Sequence, residues 1–196
     1  MISRIKGTLV SRDLDRVEME TAGGVVYEIE VPLTILDRLP MPPAADFEMR
    51  VLQVVREDSL TLYGFTEPHE RELFRRLLGA SGVGPKVALA MLSTFTAPRL
   101  ARALAEKDVN ALKQVSGVGA KSAERIVLEL SDKVQDLALG PAGNGASDAT
   151  AAQAAVGALV ALGYSFADAD AVVRRVLEDG GAADTDELIR RALAAR

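Results

Sequence analysis

Two-residue alternation up to residue 65, helical periodicity from Pro68 onward, and an octapeptide that returns 35 positions later (117 − 82 = 35) predict an α+β chain of several small domains. The expected order is a five-stranded barrel of the oligonucleotide-binding (OB) type over 1–65, a tandem helix-hairpin-helix domain over 66–137, a flexible linker over 138–149, and a three-helix, UBA-like domain over 150–196. At 196 residues the chain is longer than a usual single domain, so each unit has a modest core.

The barrel rests on alternation. Val25, Tyr27, Ile29 and Val31 alternate with Val26, Glu28 and Glu30, and Phe47, Met49, Val51, Gln53 and Val55 alternate with Glu48, Arg50, Leu52 and Val54. Turn signals fall at Asp13 to Arg16, Gly23-Gly24 and Arg56 to Ser59, and a short helix-like piece, Leu33 to Leu39, precedes Pro40, Pro42 and Pro43. A β-sandwich fragment would show much the same pattern.

From Pro68 the period changes. Leu73, Phe74, Leu77 and Leu78 form one helical face, Val87, Ala88 and Met91 a second, and Leu100, Ala103 and Leu104 a third after Pro98. Asp108 can cap a fourth helix carrying Val109, Leu112 and Val115, and Ile126, Val127 and Leu130 form the stripe of a fifth. Beyond the glycine-rich stretch 138–149, Val156, Leu159, Val160 and Leu162 lead to Gly163-Tyr164, followed by Val172, Val173, Val176 and Leu177, then Leu188, Ile189, Ala192 and Leu193. That domain is short, so some of its apolar residues are free to serve a partner surface.

The repeat carries the chemistry. Ser81-Gly82-Val83-Gly84-Pro85-Lys86-Val87-Ala88 returns as Ser116-Gly117-Val118-Gly119-Ala120-Lys121-Ser122-Ala123. In each copy a Gly-Val-Gly turn opens into a helix, so unpaired backbone N–H groups stand beside a lysine, an arrangement that holds phosphate. Val83 and Val118 are expected to pack the turn from inside, while the glycines let phosphate approach the backbone. One such turn could merely join two packed helices. Two in register, each with lysine two residues past the second glycine, point to nucleic-acid backbone.

Composition narrows the alternatives. With no cysteine there are no disulfides, thiolate metal sites or cysteine nucleophiles. His69, the single histidine, sits between Pro68 and Glu70 as a solvated helix-start residue and is given no role. No apolar run of membrane-spanning length occurs, and Met1-Ile2-Ser3-Arg4 lacks the apolar stretch of a signal peptide, so a cytoplasmic protein without a membrane partner is expected. The net charge of −5 is uneven: residues 63–136 hold 11 basic and 9 acidic side chains, whereas both flanks are net acidic. DNA contact depends on such a local patch rather than the total.

Gly117 to Ser122 partly resembles a nucleotide phosphate loop, but the positions that require glycine hold Ala120 and Val115, so ATP hydrolysis is not expected. No nucleophile elbow, zinc pair or acidic metal motif occurs, and no cofactor or metal is expected. Glu57-Asp58 falls at a hairpin tip between two apolar strands. Such acids ordinarily serve as solvated turn formers. Held near DNA, they would instead repel phosphates and bar ordinary duplex.

Together, Val54 to Phe65, Gly82 to Leu92, Gly117 to Arg125 and Ala158 to Tyr164, in the order barrel, double hairpin, linker, three-helix tail, resemble the RuvA family, the Holliday-junction-binding subunit of the bacterial branch-migration complex. The resemblance covers nearly the whole chain and implies a non-catalytic homotetramer, with four or eight subunits left open, that holds four-way junction DNA open and planar in recombination and repair. It implies that Gly82, Val83, Gly84 and Lys86, with Gly117, Val118, Gly119, Lys121 and a supporting Arg125, contact the DNA arms, and that Glu57 and Asp58 form an acidic pin at the crossover. It further implies that Leu159, Leu162, Tyr164 and Leu193 dock on RuvB, the hexameric ATPase that supplies hydrolysis and helicase activity, with the junction resolvase RuvC as a further partner. Ala120 departs from the pattern, where some relatives carry a second lysine, so the second hairpin would bind its arm through fewer charges.

Two other classes remain. A helix-hairpin-helix glycosylase or lyase would need a pocket with a catalytic Asp or Lys and aromatic rings to stack an extruded base, but Trp is absent and there are only 3 Tyr and 5 Phe. A protein-interacting helical scaffold would bind no DNA.

Overall fold

A computed structural model describes residues 1–138, 147–178 and 185–194. Five strands, β1 (Arg4–Arg12), β2 (Arg16–Glu20), β3 (Val26–Glu30), β4 (Ala44–Val55) and β5 (Leu60–Phe65), close into a barrel in the order β1-β2-β3-β5-β4. Every pairing is antiparallel except β3 with β5, which meet in parallel at Glu30 and Tyr63. Closure requires β1 to bend, and its register shifts between Leu9 and Ser11 against β2 and between Gly7 and Leu9 against β4. Gly7 is required there because a Cβ would run into the Glu20 carbonyl.

The inward row includes Ile5, Leu9, Val17, Met19, Ile29, Met49, Val51 and Leu62, and Ile35 of a 3-10 helix (Leu33–Arg38) completes this core. The alternation fails at two ends. Val25 precedes β3 and is half-exposed, while Val55 is 67% exposed because β4 runs beyond the barrel wall into the hairpin it forms with β5.

The helices are α1 (Pro68–Leu77), α2 (Pro85–Thr94), α3 (Ala97–Ala105), α4 (Val109–Leu112), α5 (Ala120–Leu130) and α6 (Gln135–Ala138), followed by α7 (Ser147–Ala161), α8 (Phe166–Glu178) and α9 (Thr185–Ala194). Pro98 does not precede the third helix as expected. It lies in its first turn, where a missing N–H breaks no helical bond. Asp108 caps α4 by accepting from the Ala111 N–H at 3.0 Å, but α4 is a single turn and Val115 lies beyond it. The expected linker 138–149 meets helix at both ends, in Ala138 and from Ser147 onward, and its middle, 139–146, lies outside the described residues. Apolar residues of α7, α8 and α9 form a third core, and α8 meets the body through Asp170, which accepts from Arg102 at 2.6 Å.

Barrel and hairpin domain share packing. Tyr63 and Phe65 at the end of β5 enter the helical core, with ring centroids 4.9 and 5.2 Å from that of Phe74. The 3-10 helix is tied to α2 by Thr34, which donates to the Leu92 carbonyl at 2.6 Å, and by the Leu33 N–H, which donates to Ser93 Oγ at 3.1 Å. Glu70 closes the joint. Buried on α1, its carboxylate accepts from the Thr66 and Glu67 N–H groups at 3.1 and 3.0 Å in a capping box and pairs with Arg38 of the 3-10 helix. Replacing Glu70 by Gln keeps an acceptor but removes the charge facing Arg38, and should lower unfolding free energy by about 1–2 kcal/mol in urea titration. An unchanged midpoint would mean that the pair contributes nothing at this joint.

Candidate nucleic-acid interface

The two copies of the repeated octapeptide fold alike. Gly82 and Gly117 adopt left-handed φ of +79° and +84°, which favours glycine. Gly84 and Gly119 are the N-caps of α2 and α5, with extended φ/ψ of −86°/171° and −82°/170°. Val83 and Val118 are buried, and their N–H groups donate to the carbonyls of Ala80 and Val115, each at 3.1 Å. The valines therefore anchor the turns. Their side chains and N–H groups are not available to a ligand, unlike the residues that flank them. Among the described residues, the N–H groups of Gly82, Gly84, Gly117 and Gly119 have no backbone partner, and those of Lys86 and Lys121 lie in the first turns of α2 and α5, where no preceding carbonyl can reach them. Both lysine side chains are exposed. Each turn thus offers N–H donors, a positive helix end and an ammonium group to one anion.

Arg125 serves the other hairpin. It sits on α5, yet its Nη2 lies 2.5 Å from where a Cβ on Gly82 would stand, so its guanidinium reinforces the first turn rather than the second. Glu129, also on α5, accepts from the Ser81 N–H at 2.8 Å. That hydrogen bond, with Arg125 and Lys133 nearby, holds the Glu129 carboxyl below the usual carboxylate range. The second hairpin braces the first, a coupling that two separate motifs in the sequence do not reveal.

The β4–β5 hairpin is closed by the Arg56 N–H, which donates to the Ser59 carbonyl at 2.8 Å, and the last cross-strand pair is Val55 with Leu60. Glu57 and Asp58 stand exposed at its tip. Ser59 donates to Asp58 Oδ1 at 3.2 Å, and neither acid forms an ion pair among the described residues. The tip is therefore a pair of uncompensated negative charges. Arg56, next to the pair in sequence, turns toward the first hairpin, with its Nη2 3.9 Å from where a Cβ on Gly84 would stand. Sequence reasoning passed over Arg56, although its place beside Glu57 could have singled it out.

The four apolar residues of the tail separate. Leu159 is 1% exposed and packs with Val156, Phe166 and Leu188, so it belongs to the core and has no free face. Leu162 is 63% exposed just past α7, where Gly163 adopts φ +95°; Tyr164 is half-buried, and Leu193 is 41% exposed on α9. His69 lies with Thr34, Arg38, Glu70 and Thr96 around a cavity of about 600 Å³ at the barrel–helix joint. Among the described residues, no cluster of three or more His, Asp or Glu is placed to hold a metal, and no helix is long and apolar enough to cross a membrane.

A closed OB-type barrel joined to paired glycine turns, each with an exposed lysine at a helix start, defines a protein of the tandem helix-hairpin-helix class. Residues 1–64 match the RuvA N terminal domain, 74–132 the SAM-like helix-hairpin-helix tandem and 150–195 the RuvA C-terminal domain. The chain is 46% identical to the Holliday junction branch migration complex subunit RuvA of Gemmatimonas aurantiaca, over 99% of this chain and 98% of that one. It is 45% identical to the protein of the same name from Opitutus terrae, over 99% and 100% of the two chains, and 41% identical to that of Pseudomonas putida, over 98% and 97%. The chain belongs to the RuvA family.

Proposed function

We propose that this chain is the junction-binding subunit of a branch-migration complex. It is a non-catalytic scaffold that holds four-way DNA through its two hairpins and places Glu57 and Asp58 at the crossover. The observation that carries this reading is the pairing of two matching glycine turns, each beside an exposed lysine, with an uncompensated acidic tip on a barrel whose strand β5 packs its end into the helical core. The cradles offer backbone donors and lysines, which hold phosphate without reading base sequence. The acids oppose any duplex whose backbone would cross the tip, while an open crossover leaves room for them.

Like the relatives named as subunits of the branch migration complex, the chain would work within a complex. Four copies around one junction would give each arm its own hairpins, and Leu162, Tyr164 and Leu193 form the candidate docking residues for the RuvB motor, which would supply the ATP hydrolysis that this chain lacks a phosphate loop to perform. Leu159 supports that surface from within.

The deciding experiment is a competitive gel-shift at fixed salt between a synthetic four-way junction and linear duplex of the same arm sequences. A preference of at least about 100-fold for the junction is the expected result. Replacing Glu57 by Gln together with Asp58 by Asn should raise duplex affinity about 10-fold while changing junction affinity little, because only the duplex suffers the repulsion. Equal affinity of the wild-type chain for both DNAs would reduce it to a general hairpin binder, and an unaltered ratio in the double variant would remove the pin from the mechanism.

A further inference from the structure

A groove of about 260 Å³ runs between the barrel and the first hairpin, where it shares Gly84 and Lys86 with the first glycine turn and extends from there to the β4–β5 hairpin. Its walls come from three elements: β3 contributes Glu30, the β4–β5 hairpin contributes Arg56, Ser59 and Thr61, and the start of α2 contributes Gly84 and Lys86. The parallel pairing of Glu30 with Tyr63 fixes the barrel side, and the shared aromatic core fixes the helix side, so the groove is a built feature rather than a gap between loose loops.

Its chemistry is that of an anion site with one contrary group. Arg56 and Lys86 carry two positive charges, and neither forms an ion pair among the described residues. Ser59 and Thr61 add hydroxyls, and the absence of a Cβ on Gly84 leaves the approach beside Arg56 open. Glu30 faces the same space. Burial pushes its carboxyl above the usual range, Asp15 adds to that rise, and Arg16 and Lys86 pull the other way. A second anion entering the groove would meet this carboxylate.

We propose that the groove holds one backbone phosphate of the DNA strand that passes from the first hairpin toward the acidic tip, gripped by Arg56 and Lys86, and that Glu30 limits the strength of that grip. The occupant follows from position and chemistry. The groove joins the Gly84 turn to the hairpin bearing Glu57 and Asp58, and its cations and hydroxyls fit a phosphate oxygen. The proposal rests on the function proposed above, since it takes DNA as the ligand. Glu30 acts as a brake: a carboxylate lining the same groove as a bound phosphate weakens it without blocking it, so the strand is held yet can advance.

The test is fluorescence anisotropy of the full chain with a labelled four-way junction and, separately, with labelled linear duplex, across a salt series. Glu30→Gln should tighten binding to both DNAs by about 3- to 10-fold. Arg56→Ala should weaken both by a similar factor and lower the salt slope by about one unit. In a chain already carrying Arg56→Ala and Lys86→Ala, Glu30→Gln should gain less than about 2-fold, because the grip it limits is gone. Glu20→Gln, an exposed carboxylate on β2 outside the groove, is the control for general charge and should change neither affinity.

The proposal is overturned if Glu30→Gln leaves affinity unchanged, if Glu20→Gln gives the same gain, or if the gain persists without Arg56 and Lys86. Junction preference is read from the ratio of the two affinities and the Glu30 effect from their common change, so either can fail while the other stands. Circular dichroism melting confirms that each variant is folded before its affinity is compared.

Discussion

Gly82→Ala should weaken binding to junction and duplex alike by about 10-fold, whereas Gly117→Ala should cost only about 2- to 3-fold. The two residues occupy equivalent turns, with φ of +79° and +84°, so alanine at either adopts a left-handed backbone at a cost of about 1–2 kcal/mol in folding stability. What differs is the space a Cβ would enter. At Gly117 nothing lies within 4 Å, while at Gly82 it would meet Arg125 Nη2 at 2.5 Å. Arg125 is the flexible end of an exposed side chain and can swing aside, so the extra penalty falls less on folding than on the first cradle, which loses its guanidinium. Urea titration should therefore show similar destabilisation for both variants, and anisotropy should separate them. In an Arg125→Ala background the difference in affinity should vanish. Equal losses in the wild-type background would show that Arg125 contributes nothing to the first site.

That asymmetry marks the boundary of what the sequence makes legible. The glycine turns, their lysines and the capping Asp108 act over a few residues, so spacing alone places them, and the structure puts Gly82, Gly84, Gly117 and Gly119 where the repeat predicts. The inward row of the barrel is legible for the same reason, since a strand alternates wherever one face is buried. Alternation stops meaning burial where a strand leaves the wall, and Val55 therefore stands exposed in a pattern that continues unbroken through it.

Contacts between elements distant in the chain leave no such trace. Arg125 lies within the second motif but reaches the first turn, Glu129 crosses to Ser81, and Glu30 and Arg56 share a groove with Lys86 only because β3, the β4–β5 hairpin and α2 are brought together by the fold. Helical periodicity likewise groups Leu159 with Leu162 without showing that one packs inside three helices while the other stays in solvent. Only the packing of α7 against α8 and α9 separates them.

Phe74→Ala should be the most destabilising of these changes, lowering unfolding free energy by about 3–5 kcal/mol. Phe74 is fully buried, and its ring meets both Tyr63 and Phe65, so truncation opens a cavity where β5 enters the helical core. The consequence reaches beyond stability. Phe65 ends the strand whose other end forms the Glu57-Asp58 hairpin, and Phe74 lies on the helix that leads into the first glycine turn. The three rings thus join the strand that carries the acidic tip to the helix that leads into the first glycine turn. Under conditions where the variant remains folded, its junction preference should fall further than that of Leu188→Ala, a core truncation confined to the tail. Denaturant titration gives the first quantity and paired junction and duplex anisotropy the second. If Phe74→Ala costs less than about 1 kcal/mol, the rings do not couple barrel to hairpins. If it is strongly destabilising yet retains full junction preference, the tip and cradles are held in register by the 3-10 helix and Glu70 instead, and discrimination tolerates a loosened core.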